Sequence, residues 1–227
     1  MAALVITVAQ QKGGSGKTSL AAHLSAAWGN PQFGNDGSKV AAYRVIALDL
    51  DPQESLAKWF EVRRQSLPVA STLEVRRAAG WRLSGELVRA KREADIVVLD
   101  LPPGLDNSTS AAFRAADLVI VPLQLSPMDL WATGPTVDLA KRSGAHPLLV
   151  LNRVPARARL NDVVIAEAKE AEWPVARASL GNRVAFAESM LGGKGITEEQ
   201  PASLAAAELR LLAREVMNTT RSFARAA

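Results

Sequence analysis

The sequence predicts an α/β fold: a mostly parallel, twisted sheet with helices on both faces. Three observations predict it. Short runs of nearly uninterrupted apolar, often β-branched residues recur along the chain, as expected of strands buried on both sides. Helical segments separate these runs, so successive strands run in the same direction. The first run ends at a glycine-rich turn that opens into an Ala/Leu-rich stretch, the strand–turn–helix order of such a unit.

The elements follow in order. Leu4–Val8 (LVITV) reads as a buried strand and Thr18–Trp28 (TSLAAHLSAAW) as a helix. Residues 30–38 (NPQFGNDGS) are dense in Asn, Gly, Pro and Asp and read as a loop, whose role the sequence does not assign. Arg44–Leu50 (RVIALDL) is the next strand, followed by a helix through roughly Arg64. Ile96–Leu101, Leu118–Pro122 and Pro147–Asn152 are the third, fourth and fifth strands, with Pro174–Arg177 a weaker sixth. Helices fall at Ser84–Lys91, Met128–Arg142 and Asn161–Ala171, and a long Ala/Leu/Glu/Arg segment, Ala202–Thr219, comes last. No repeat, low-complexity tract or long linker divides the chain, so residues 1–227 read as one domain.

Composition narrows the function classes. No run of 18 apolar residues exists to span a bilayer. The first residues, MAALVITVAQQKGG, lack a basic start and lead straight into the glycine-rich turn. A signal peptide is not expected there, because cleavage would remove the first strand. The absence of cysteine excludes disulfides and thiolate metal sites and fits a reducing cytoplasm. A net charge of +4 is compatible with an acidic polymer as partner, and equally with a mildly basic surface that binds nothing.

The chemistry concentrates in Lys12–Thr18, KGGSGKT. A phosphate-binding P-loop reads GxxxxGK[ST]: its glycines let backbone N–H groups curl around phosphates, its lysine reaches the outer phosphates, and its hydroxyl binds magnesium. Gly16, Lys17 and Thr18 supply the end of that pattern at the end of a strand and the start of a helix. Gln11 stands where the first glycine belongs, and an additional lysine, Lys12, precedes Gly13 and Gly14. Two acidic positions sit at strand ends, where a magnesium ion held by the loop would need them. Asp49 and Asp51, in DLDPQ, lie two residues apart and so face the same way in an extended chain. The same residues would equally suit an Asx turn before Pro52. Asp100 closes IVVLD before a stiff Pro102-Pro103-Gly104 turn, in the position of a carboxylate that contacts magnesium through water. His23 and His146, the two histidines, read as structural or solvent-facing rather than catalytic.

The variant loop KGGxGK[ST] resembles the signature of the ParA/MinD family of P-loop ATPases, and the resemblance covers nearly the whole chain. It extends to VPLQLSPMDLWAT (Val121–Thr133) and NRVAFAESMLGGKGITE (Asn182–Glu199), similar to segments of small ParA-type partition ATPases. The resemblance implies a single-domain P-loop NTPase fold that binds ATP and Mg2+. Gly13, Gly14, Ser15, Gly16, Lys17, Thr18 and Ser19 would cradle the nucleotide, and Asn152 would meet the adenine. Thr18, Asp49 and Asp100 would surround the metal. Lys12, Lys17 and Asp51 would be catalytic, Asp51 by orienting the attacking water and Lys12 by reaching the nucleotide of a partner subunit. ATP binding and formation of a sandwich homodimer would then be one event, with slow intrinsic hydrolysis.

The resemblance further implies non-specific binding to nucleoid DNA, a cytoplasmic, nucleoid-associated protein, and a cargo of plasmid, chromosome locus or protein cluster. A ParB-like or other adaptor would stimulate hydrolysis and release. Arginines are frequent in the last third of the chain, with Arg153, Arg157 and Arg183 the leading candidates for DNA contact, although glutamates lie among them. The competing reading is a MinD-like ATPase on a membrane. Its amphipathic tail wants bulky apolar residues opposite a basic face, and beyond Val216 only Met217 and Phe223 qualify, so no membrane contact is expected. An iron–sulfur relative is excluded by the lack of cysteine, and the motifs of a synthetase are not found.

Overall fold

In the computed structural model, residues 2–33, 39–67, 72–104, 107–156 and 160–224 are described. β1 (Leu4–Val8) leads through the glycine-rich turn into α1 (Lys17–Trp28). A two-residue ladder, β2 (Gln32–Phe33) against β3 (Lys39–Val40), is antiparallel and separate from the main sheet. It replaces part of the loop expected at residues 30–38, of which 34–38 lie outside the described residues. Then come β4 (Val45–Asp49), α2 (Ser55–Ser66), β5 (Leu73–Arg77), a 3-10 turn at Gly80–Arg82, α3 (Leu83–Glu93) and β6 (Ile96–Asp100). The chain continues through α4 (Asn107–Ala115), β7 (Leu118–Leu123), α5 (Pro127–Arg142), β8 (Pro147–Leu151) and α6 (Leu160–Glu170). It finishes with α7 (Val184–Leu191), the single turn α8 (Ile196–Glu199) and α9 (Leu204–Ala224).

Six strands form one parallel sheet in the order β5-β4-β6-β1-β7-β8. Period-two alternation divides its side chains between two cores. Ile6, Val8, Ala47, Val98 and Ile120 pack with α1, α2, α8 and α9 on one face. Val5, Ile46, Leu48, Leu99 and Val121 pack with α3, α4, α5 and α6 on the other. Both faces are apolar, which is why the strands read as continuous hydrophobic runs.

Two strand assignments change. β5 escaped the sequence reading because it is an edge strand with charged faces. Only Leu73 of LEVRR is buried, and Arg76 pairs with Glu74 two residues away at 2.8 Å. Conversely, the sixth strand expected at Pro174–Arg177 shrinks to one parallel bridge, Val175 to Leu149, with Glu215 of α9 taking the Arg177 and Ala178 N–H groups. α4 was also missed: NSTSAAFRA begins with polar residues, and among its described side chains Thr109, Ala112 and Phe113 are the buried ones. Among the described residues, no helix is long and apolar enough to cross a membrane.

Candidate functional site

β1 is where the strand order turns: the chain leaves it towards β4 and β5, and later crosses it from β6 to β7. Sites in open parallel sheets form at such a point, at the carboxyl ends of the strands. Register fixes what meets there. Asp100 pairs with both Val8 and Asp49, so the two carboxylates and the root of the P-loop share one row.

The loop between β1 and α1 is held by donors from outside its own turn. Lys17 Nζ donates to the Gln10 and Lys12 carbonyls at 3.0 and 3.3 Å. Gly104 N, beyond β6, donates to Gln11 O at 3.1 Å. Gln124 Nε2, beyond β7, reaches Gly14 O at 2.8 Å, and Asn152 Nδ2, beyond β8, reaches Ser15 O at 2.9 Å. Gln10 is itself buried and donates to Thr133 Oγ1 of α5 at 3.1 Å, while Gln11 N donates to Thr136 Oγ1 at 3.4 Å. Gly16 has φ +92°, and a Cβ there would lie 2.5 Å from Asn152 Nδ2, so glycine is required twice over. Gly13 and Gly14 are exposed, Ser15 is buried with an unpartnered hydroxyl, and Thr18 and Ser19 begin α1 at half-exposed positions.

The two lysines differ. Lys17 is buried, and desolvation lowers its pKa against the attraction of Asp100 and Asp51, so these three charges converge. Lys12 is more open, and within this single chain its ammonium pairs with Asp129 at 2.7 Å. Asp129 is buried at the N-terminus of α5, where Ser126 caps the helix through the Asp129 N–H. The sequence analysis missed Gln10, Asp129, Thr133 and Thr136. The one signal available was the cap Ser126-Pro127-Met128-Asp129, an N-terminal pattern that says nothing of Lys12.

Asp100 is fully buried, and neither carboxylate oxygen has a hydrogen-bond partner of good geometry. Burial raises its pKa to about 7; the Thr18 hydroxyl and the Lys17 ammonium oppose that rise, and Asp49 and Asp51 add to it. Asp49 is committed elsewhere. Its Oδ1 accepts from Asp51 N at 3.1 Å and its Oδ2 from Ala57 N at 2.9 Å, so it builds the turn that the sequence left as an alternative. Burial raises the Asp49 pKa as well. Asp51 is half-buried and accepts from Gln53 N at 2.9 Å. Orphaned oxygens beside a hydroxyl suit a hard cation, and magnesium takes few protein ligands, the remainder being water and phosphate. The residues therefore fit Mg2+, with Asp100 and Thr18 the available donors and Asp49 the positioning group. Among the described residues, no group of three or more His, Asp or Glu forms a metal cage.

Beside the loop opens a cavity of about 360 Å3, lined by Ser19, His23, Asn152, Arg153, Arg183 and Phe186 among others. The Asn152 amide faces it but is engaged, with Nδ2 on Ser15 O and Oδ1 accepting from Arg153 N at 3.0 Å. Arg153 and Arg183 both stand on the cavity wall. Arg183 is neutralised by a two-pronged pair with Glu208 of α9, at 2.6 and 3.1 Å, and Arg153 leans over Gly14 O at 3.5 Å. Arg157 lies outside the described residues.

Known proteins resemble this chain. The model of the MipZ ATPase family matches residues 4–198. Maintenance of carboxysome distribution protein A of Halothiobacillus neapolitanus is 27% identical over 204 residues, covering 86% of this chain and 87% of its own. The chromosome-partitioning ATPase Soj of Thermus thermophilus is 31% identical over 248 residues, covering 93% and 94%. Among solved structures, apo McdA of Cyanothece superposes with a TM-score of 0.75 at 15% identity, over 95% of this chain and 98% of that one. Its similarity is one of fold. With a family match across most of its length, the chain belongs to the MipZ family of ATPases within the ParA/MinD group.

Proposed function

We propose that the protein is an ATP-driven positioning switch: it binds Mg–ATP, closes into a sandwich homodimer, holds non-specific DNA and releases it on hydrolysis. The observation that carries this reading is the phosphate loop, with its carbonyls tied outwards and two lysines at its rim, set beside the unpartnered Asp100 carboxylate. Gly13–Ser19 and Lys17 bind the phosphates and Asn152 borders the base cavity. Magnesium, when bound, neutralises phosphate charge and orients the terminal phosphate. Asp51, tied to Asp49 through its backbone N–H and within electrostatic reach of Lys17, holds the attacking water. Lys12 leaves Asp129 to meet the nucleotide of the second subunit, adding the charge that phosphoryl transfer needs only after dimerisation.

The relatives named for carboxysome distribution and chromosome partitioning support a positioning role, with the cargo a protein assembly or a DNA locus and an adaptor stimulating turnover. The membrane alternative draws no support from α9. Its apolar residues Ala205, Leu209, Leu212, Val216 and Met217 are buried in the core, leaving Leu204 and Leu211 as its exposed large apolar side chains. The Asp51→Ala variant, loaded with Mg–ATP, separates the readings. A mobility shift of random-sequence DNA with no sedimentation on anionic liposomes is expected; liposome binding without DNA binding overturns the proposal.

A further inference from the structure

Arg153 is a non-glycine residue in the left-handed region, with φ +53°. Such a conformation is disfavoured for a side chain bearing a Cβ and persists where surrounding structure enforces it, often at a site. The enforcement is visible: Asn152 Oδ1 accepts the Arg153 N–H, and the same amide donates to Ser15 O. This turn aims the Arg153 guanidinium at the Gly14 carbonyl, 3.5 Å away. Gln124 Nε2 approaches the same oxygen at 2.8 Å from the end of β7. Arg153 is exposed and, among the described residues, pairs with no carboxylate, unlike Arg183.

A peptide group's C=O and N–H point in opposite directions. Drawing the Gly14 carbonyl outwards to Gln124 and Arg153 therefore turns the Ser15 N–H inwards. Drawing the Ser15 carbonyl to Asn152 does the same for the Gly16 N–H. Gly14, at φ +77°, has the freedom to flip and must be fixed by something.

We propose that Gln124 and Arg153 are positioning residues of the nucleotide site: together they clamp the Gly14 carbonyl so that the Ser15 N–H is preset to receive a nucleotide phosphate. The inference rests on the nucleotide reading above. It assigns Arg153 to the phosphate cradle and away from DNA. Because the clamp shapes a contact common to both nucleotides, its loss weakens ADP and ATP alike.

The test is titration of fluorescent ADP and ATP analogues with Mg2+ into the full chain, for wild type, Gln124→Glu, Arg153→Met and Arg153→Lys. Gln124→Glu keeps the size but sets a carboxylate against the carbonyl. With the 2.8 Å hydrogen bond replaced by repulsion between two oxygens, affinity for both nucleotides should fall about fivefold or more. Arg153→Met, which gives up the longer 3.5 Å contact, should lose about twofold, and Arg153→Lys, which keeps a donor, should regain part of it. The nucleotide-free melting temperature should stay at the wild-type value, most clearly for the exposed Arg153. Unchanged affinity in both Gln124→Glu and Arg153→Met overturns the inference. So does an affinity loss that only tracks a lowered melting temperature, or full nucleotide affinity in Arg153→Met with DNA binding lost at saturating ATP. Failure of the wild type to bind either nucleotide would instead overturn the underlying nucleotide reading.

Discussion

Acidification should loosen the cavity wall through His23, by an amount that the ring's surroundings set. His23 is buried in α1, with its Nε2 3.0 Å from Phe186 O of α7 and its Nδ1 3.1 Å from Ile196 N of α8. The backbone N–H of Ile196 makes Nδ1 the acceptor, so Nε2 carries the proton and donates to Phe186 O. The ring is neutral and meets Phe186 edge-on. Burial lowers its pKa from 6.5 to about 4, against upward pulls from the Phe186 carbonyl and, more weakly, from Glu198, which Arg63 and Asn30 already engage. Because the folded-state value is the lower one, the unfolded chain takes up the proton first. The stabilisation is therefore complete above pH 6.5 and is lost as the pH falls towards 4. About 2 kcal/mol should disappear between about pH 6.5 and 4.5. Asp100 acts with the opposite sign across nearly the same range. Burial keeps it protonated in the fold up to about pH 7, so its ionisation costs stability as the pH rises. The measurement therefore belongs in an Asp100→Asn background, by urea unfolding across that range, compared with His23→Gln added to it. A pH slope that is the same with and without His23 would refute the reasoning.

Other outcomes follow from the same geometry. Asp100→Asn should raise the nucleotide-free melting temperature at pH 8 by removing a buried charge, while weakening the magnesium-dependent part of ATP binding; calorimetry with and without EDTA reads both. Gly16→Ala should abolish nucleotide binding, because the methyl strikes Asn152 in a left-handed turn, and equilibrium dialysis against labelled ATP checks it. Lys12→Ala should leave nucleotide affinity of the single chain close to wild type, and the lost pair should cost about 1–3 kcal/mol of stability, since it leaves the buried Asp129 carboxylate without its cation. Trp131 lies 70% exposed on α5 near Asp129, so its emission should shift to the blue with Mg–ATP if dimerisation covers that face, and a Trp131→Phe control should remove the shift.

How much was legible in the sequence depended on the locality of the cause. The central strands were readable because burial on both faces leaves an unbroken apolar run, as in Ile96–Asp100. β5 was not, because at a sheet edge its Glu74 and Arg76 satisfy one another. Gly16, Lys17 and Thr18 were visible as a local pattern tied to phosphate. The carbonyl clamps were not, because Gln124 and Asn152 meet the loop from 110 and 137 residues away. Nor was the partner of Lys12, since Asp129 looks like an ordinary first-turn acid until α5 folds over the loop. Arginine count did not show which arginines are engaged within the fold: Arg183 pairs with Glu208, a pairing set by how α9 lies against the turn before α7.

Sedimentation velocity of the wild type and the Asp51→Ala variant, each with Mg–ATP and with Mg–ADP, tests the central claim most directly. A mass near 24.2 kDa is expected with ADP for both proteins. With ATP, Asp51→Ala should persist at twice that mass, and adding Lys12→Ala should return it to the monomer. A monomer with ATP in Asp51→Ala, or a dimer indifferent to nucleotide and to Lys12, would contradict the account.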